Sequence, residues 1–147
     1  MKPWHLVKRF VGSVTAAALS DRELREVQTV LLAAEQRLFE RLAIADQRHA
    51  LLVLRRFDEL MPAASVVARR AALLHDVGKI VTGLGTLARV MATIVGPRTD
   101  RFRQYVEHER IGAELLTHAG SDPVTVALVR GDGEPTTVNA LHKADDI

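Results

Sequence analysis

The sequence predicts an all-α fold, a bundle of roughly seven or eight helices joined by short loops. Three observations lead there. Apolar residues return at steps of three and four along most of the chain. No run alternates apolar and polar residues as a half-buried strand does. Aromatic residues make up only 4% of the chain, so the core must be built from Leu, Val, Ile and Ala, as in helix packing. With 147 residues and no internal repeat, one domain around one core is expected.

The bulk composition narrows the function classes. A net charge of +2 is too small to imply a nucleic-acid partner. The absence of cysteine excludes disulfides, thiolate metal sites and a cysteine nucleophile, and it fits a reducing, cytoplasmic location. No uncharged apolar run approaches the roughly 18 to 20 residues needed to span a bilayer.

Along the chain, Trp4, Val7, Val11, Val14 and Ala18 fall on one helical stripe. Residues 1–19 are therefore expected as an amphipathic helix packed on the domain, rather than a signal peptide or a membrane-surface helix. That helix is also a candidate surface for oligomerisation. The main domain is expected over 20–147. Ser20 to Glu23 reads as a capping box, and Leu24, Val27, Leu31, Ala34, Leu38 and Leu42 make one long amphipathic stripe. Asp46 reads as a fresh N-cap for a helix running to about Leu60, which Met61-Pro62 stops. Ser65 opens the next helix, with Gly78 at its end.

Leu84, Leu87, Val90, Met91 and Ile94 suggest a further helix closed by Gly96-Pro97. Polar, basic Arg98–Arg103 is expected as an exposed connection, and the helical pattern resumes at Phe102 or Tyr105 and runs to about Thr117. Asp122-Pro123 starts a short helix, Gly131–Pro135 is a loop, and Thr137–Ile147 is helical.

The chemistry centres on Ala71-Ala72-Leu73-Leu74-His75-Asp76-Val77-Gly78-Lys79. An imidazole and a carboxylate side by side can hold a divalent cation. Alone, such a pair is more often the polar end of a buried helix, so the reading depends on partners. Two consecutive helices joined by a short loop pack antiparallel. His49, near the start of one helix, and His75, at the end of the next, should meet at the same end of the bundle. A further carboxylate is needed to neutralise the cation, and Asp145 can supply it. Two imidazoles and two carboxylates leave positions for water and a substrate oxygen. A metal there lowers the pKa of its water. Such a mixed nitrogen and oxygen set suits Mn, Fe, Co, Ni or Zn, and less strictly Mg.

From about Asp46 to Asp145 the sequence resembles the HD superfamily of metal-dependent phosphohydrolases. His49, with Val53 four residues on, resembles the family's first His. His75-Asp76-Val77-Gly78-Lys79 resembles its name-giving motif, and Ala144-Asp145 its terminal Asp. The resemblance implies an α-helical fold, one divalent metal ion bound by His49, His75, Asp76 and Asp145, and hydrolysis of a phosphate ester or anhydride. Asp76 would both ligate the metal and handle the proton of the attacking water. The implied substrate is a small phosphomonoester or phosphodiester, nucleotide-like in kind.

His108-Glu109-Arg110-Ile111-Gly112 resembles a His-x-x-x-Gly stretch of the phosphodiesterase branches, where the His can ligate a second metal. Those branches also carry a histidine pair where this chain reads Val129-Arg130-Gly131-Asp132-Gly133-Glu134, so a complete second metal site is not expected. Asp132 or Glu134 could stand in as oxygen ligands. Lys79 is a candidate to offset phosphate charge, and Arg48 a second. His142, one turn before Asp145, could support it from behind. The missing histidine pair leaves a competing reading open, a non-catalytic signalling or regulatory module on the same fold.

Overall fold

The structure, a computed structural model, describes residues 17–81 and 98–146. The expected N-terminal helix, save residues 17–19, and the helix expected across Leu84–Ile94 lie outside the described residues. The rest is all-α. Among the described residues there are seven α-helices, one 3₁₀ turn and no strand.

Helix α1 (Asp21–Val30) opens on the expected capping box. The Glu23 amide donates to Ser20 Oγ at 3.2 Å, and the Ser20 amide donates to Glu23 Oε1 at 3.1 Å. The long stripe from Leu24 to Leu42 does not form one helix. The chain extends at Leu31 and Leu32, and α2 (Ala33–Glu40) starts afresh. The cause is Glu35, which is fully buried. Its carboxylate accepts the Leu32 amide at 2.9 Å and the Ser121 hydroxyl at 2.6 Å. It lies 3.8 Å from Arg70. The Arg70 guanidinium also donates to the Val30 carbonyl at 2.8 Å, satisfying an acceptor at the end of α1. The Ser121 and Arg70 contacts come from distant parts of the chain, and the Leu32 contact is polar, so apolar spacing could not reveal the break.

Helix α3 (Ile44–Leu60) begins two residues before the expected Asp46 cap. Asp46 instead sits in its first turn, and the Gln47 side chain ties the connection by donating to the Glu40 and Leu42 carbonyls. Ser65 caps α4 (Val66–Leu74) as expected, its hydroxyl accepting from the Ala68 amide. Helix α4 does not reach Gly78. It ends at Leu74 with His75 as its C-cap, and Val77–Ile80 follow as the 3₁₀ turn.

Gly78 serves close packing rather than helix termination. A Cβ there would collide with the His108 carbonyl oxygen and lie 3.0 Å from the Gly112 amide nitrogen. Gly112 reciprocates, since its own Cβ would come within 3.3 Å of the Gly78 amide nitrogen and of Val77. Two glycines thus let the turn press directly on α5 (Arg98–His118).

That helix begins at Arg98, so 98–103 is helical and not a connection. No glycine or proline interrupts the stretch between Pro97 and Gly112, and Arg and Gln are good helix formers. Helix α6 (Pro123–Arg130) is capped by Asp122 and closed by Gly131 at φ 86°, a left-handed position suited to glycine. Helix α7 (Pro135–Asp145) is capped by Glu134.

The core is aliphatic, as the composition requires, with Phe39 and Phe57 as its large members. Helix α3 packs on α4 and on α7, α4 packs on α6, and α5 packs on α6 and the 3₁₀ turn. Consequently the early turns of α3, the end of α4, the 3₁₀ turn and the last turn of α7 come together at one corner. None of the described helices is long and apolar enough to cross a membrane.

Candidate metal centre

Each side chain at this corner is placed by its helix. The apolar run Ala71–Leu74 is wholly buried and anchors the end of α4. His75 follows as the last helical-type residue, and its Nδ1–H donates to the Ala72 carbonyl at 2.7 Å. That bond orients the ring and turns Nε2 toward the corner. Asp76 comes next, at the entry to the 3₁₀ turn. His49 projects from α3, and its ring centre lies 5.7 Å from that of His75. The two histidines therefore meet where antiparallel packing of consecutive helices puts them.

Asp145 closes the cluster from α7. Its Oδ1 lies 2.7 Å from His49 Nε2 and 3.2 Å from His75 Nε2. Asp76 Oδ2 lies 3.3 Å from His75 Nε2. Asp145 is the last residue of its helix, but that turn is anchored. Ala144 before it is fully buried against the core, and Arg56 of α3 donates to the Lys143 carbonyl at 3.3 Å.

His49, His75, Asp76 and Asp145 each offer one ligand atom, all within 4.8 Å of one another. Their side chains keep between 17 and 24% of their surface exposed, so an ion could enter without opening the core. Two imidazole nitrogens and two carboxylates fit a divalent cation of borderline or hard character.

The electrostatics show how unusual this grouping is. Burial disfavours the charged forms of His75, Asp76 and Asp145, yet opposite charges and hydrogen bonds override it. Asp76 and Asp145 hold the His75 pKa well above the ordinary histidine value. His75, then Lys79 and His49, hold Asp76 well below the usual carboxylate range. Hydrogen bonds from His49 and His75 lower Asp145 likewise. Lys79 is raised by Asp76 and Asp46, which lie 3.2 and 3.3 Å from its Nζ.

A cavity of about 160 Å³ opens beside the cluster. Its polar lining includes His75, Asp76, Lys79, His108 and Asp145, and its apolar lining is Val53, Leu128, Val129, Val138 and Leu141. Glu109 and His142 complete the lining. Glu109 was not recognisable as a cavity residue, because neighbouring glutamates on an amphipathic helix look alike until one is buried. Its pKa is raised, first by burial and then by Asp132 and Asp76.

A model of the HD domain matches residues 36–137, well over half of the chain. The chain belongs to the HD-domain family. HD domains are largely metal-dependent hydrolases that bind divalent metals, and the clustered His and Asp residues fit such a site. The match ends before Asp145, so the grouping of that residue with the other three rests on the geometry. No curated protein and no solved structure matches the chain.

Two sequence candidates stand elsewhere. Arg48 does not line the described cavity. Its guanidinium donates to the Ala17 and Ala18 carbonyls at 2.8 and 2.9 Å and approaches Glu23 at 3.4 Å. Glu134 has both carboxylate oxygens engaged at the start of α7, accepting from the Thr136 and Thr137 amides and the Thr137 hydroxyl. That capping role removes it as a substitute oxygen ligand.

Proposed function

We propose that this HD domain is a phosphohydrolase in which His49, His75, Asp76 and Asp145 hold one divalent metal ion, and that it hydrolyses a nucleotide-like phosphomonoester or phosphodiester. The observation that supports this most is the convergence of four donors within 4.8 Å beside an open cavity. A bound divalent cation supplies Lewis acidity, polarising a phosphoryl oxygen and lowering the pKa of a water molecule.

The chain's own residues do the rest. The Ala72 carbonyl keeps the His75 ring in register, so Nε2 remains the donor atom. Asp76 borders the cavity and orients the attacking water, accepting its proton at a carboxylate oxygen. Lys79 places an ammonium beside the same carboxylate, where it offsets charge on non-bridging phosphate oxygens. Asp46 holds that ammonium from the far side. His108 lines the cavity as a further contact for phosphate. One cation is proposed rather than two, because the 129–134 segment offers no histidine and Glu134 caps α7.

The test is metal analysis of the purified chain, followed by hydrolysis of p-nitrophenyl phosphate and bis(p-nitrophenyl) phosphate with Mn, Fe, Co, Ni, Zn and Mg. The expected result is one ion per chain and turnover that Asp76→Ala abolishes. Protein that loads metal yet stays inert with every ester would favour the non-catalytic module. Full activity in Asp76→Ala would reject the site.

A further inference from the structure

The cavity has a second polar pair that the proposed hydrolysis does not use. Glu109 of α5 and His142 of α7 both line it, close enough to interact electrostatically. The Glu109 carboxylate lies against the loop after α6, where a Cβ on Gly131 would meet its Oε2 at 3.4 Å. Leu128, Val129, Val138 and Leu141 line the same cavity. A largely apolar pocket with a few polar groups uses those groups to orient its ligand.

Charge decides which part of a ligand they face. The phosphate belongs with Lys79 and the four-donor corner. A second phosphate or carboxylate on that side would be set against the Glu109 carboxylate, an acid like itself. What suits that side is an uncharged group that both donates and accepts. A carboxylate accepts, a neutral imidazole donates at one nitrogen and accepts at the other, and hydroxyls answer both. The aliphatic surface beside them accepts the carbon face of a ring.

We propose that Glu109 and His142 form a specificity subsite for the hydroxyls of the alcohol half of the substrate, so that the substrate is the phosphomonoester of a neutral, hydroxyl-bearing ring such as a pentose. This rests on the phosphohydrolase reading and narrows it, since an alcohol carrying a second anionic group on this side is excluded.

Equilibrium binding tests it without turnover. Phosphonates with an uncleavable C–P bond are titrated calorimetrically into the metal-loaded chain: the methylene phosphonate analogue of ribose 5-phosphate, methylphosphonate and 2-aminoethylphosphonate. The ribose analogue should bind at least about tenfold tighter than methylphosphonate, the gain expected from satisfied polar contacts in a desolvated pocket. In Glu109→Gln/His142→Ala that ratio should fall below about threefold, while Asp46→Asn, which alters only the phosphate side, should keep it. Equal or undetectable binding of the ribose analogue and methylphosphonate to the wild type overturns the proposal. So does a ratio unchanged in the double variant, or tighter binding of the aminoethyl compound, which would assign the pair to a cation. Inertness toward phosphate esters with the ratio intact would instead reject hydrolysis and leave the subsite standing.

Discussion

Glu35 and Asp145 are both carboxylates held against nitrogen donors from neighbouring helices, and their surroundings differ in one respect. Glu35 is fully buried, and its two oxygens accept from the Leu32 amide and the Ser121 hydroxyl, with Arg70 alongside. Neither it nor Leu32, Arg70 or Ser121 lines the cavity beside the metal centre. Asp145 shares one oxygen between two imidazoles, remains partly exposed and borders a cavity. The first arrangement closes on itself and ties α1, α2 and α4 to the turn before α6. The second leaves donor atoms converging on open space. A buried acid marks a functional corner when its partners are themselves ligand atoms and the group they enclose is accessible.

Substitutions should separate the two clusters. The largest expected effect is on activity at the open corner. Asp76→Ala should lower kcat/KM by about 10³-fold or more, since several kcal/mol of charge stabilisation depend on the metal that Asp76 helps to hold. The far-UV circular dichroism of this variant should stay helical. Glu35→Ala should do the reverse. Removing one partner of a buried pair leaves Arg70 uncompensated and should cost about 3–4 kcal/mol in urea unfolding. The metal stoichiometry of its folded fraction should remain that of the wild type. Loss of metal in Glu35→Ala, or unfolding of Asp76→Ala, would blur the distinction.

Gly78→Ala should affect stability and activity together, because the turn that carries Asp76 and Lys79 must back away from the His108 carbonyl. A destabilisation of about 1–3 kcal/mol is expected, with reduced turnover in the fraction that stays folded. If its activity were intact, close packing of the turn on α5 would not matter to the corner.

The smallest effect concerns Glu134, an exposed acid that closes on itself as Glu35 does. Its pKa falls from 4.5 to about 2 because the Thr137 hydroxyl and the amides of Thr136 and Thr137 donate to the carboxylate. A carboxylate depressed by folding contributes stability that is present above its unfolded pKa and lost as pH falls through the folded value. Unfolding followed between pH 5 and pH 2 should therefore show a component that Glu134→Gln removes, with metal binding at pH 7 unaffected. A drop in metal content in this variant would return Glu134 to the ligand set.

Much of this could be read from residue order. Helical spacing identifies the all-α class, and the caps at Ser20, Ser65 and Asp122 fall where the side chains allow, because capping is a contact between near neighbours. The approach of His49 and His75 follows from two consecutive helices and a short loop. Other features needed contacts across many residues. The break at Leu31-Leu32 depends on Arg70 and Ser121, and the early start of α3 leaves Asp46 free to hold Lys79. Gly78 reads as a helix terminator in one dimension and proves to be a contact point in three.

What the sequence by itself determined was the helical class, the family motif and the four candidate donors, with His49 brought in by antiparallel packing and Asp145 named as the further carboxylate. Tertiary structure decided that Asp145 meets the histidines. It also decided that Glu109 is a cavity residue, whereas Glu134 is a cap. Burial and distance are properties of packed helices, and a carboxylate's role is set by what its two oxygens face.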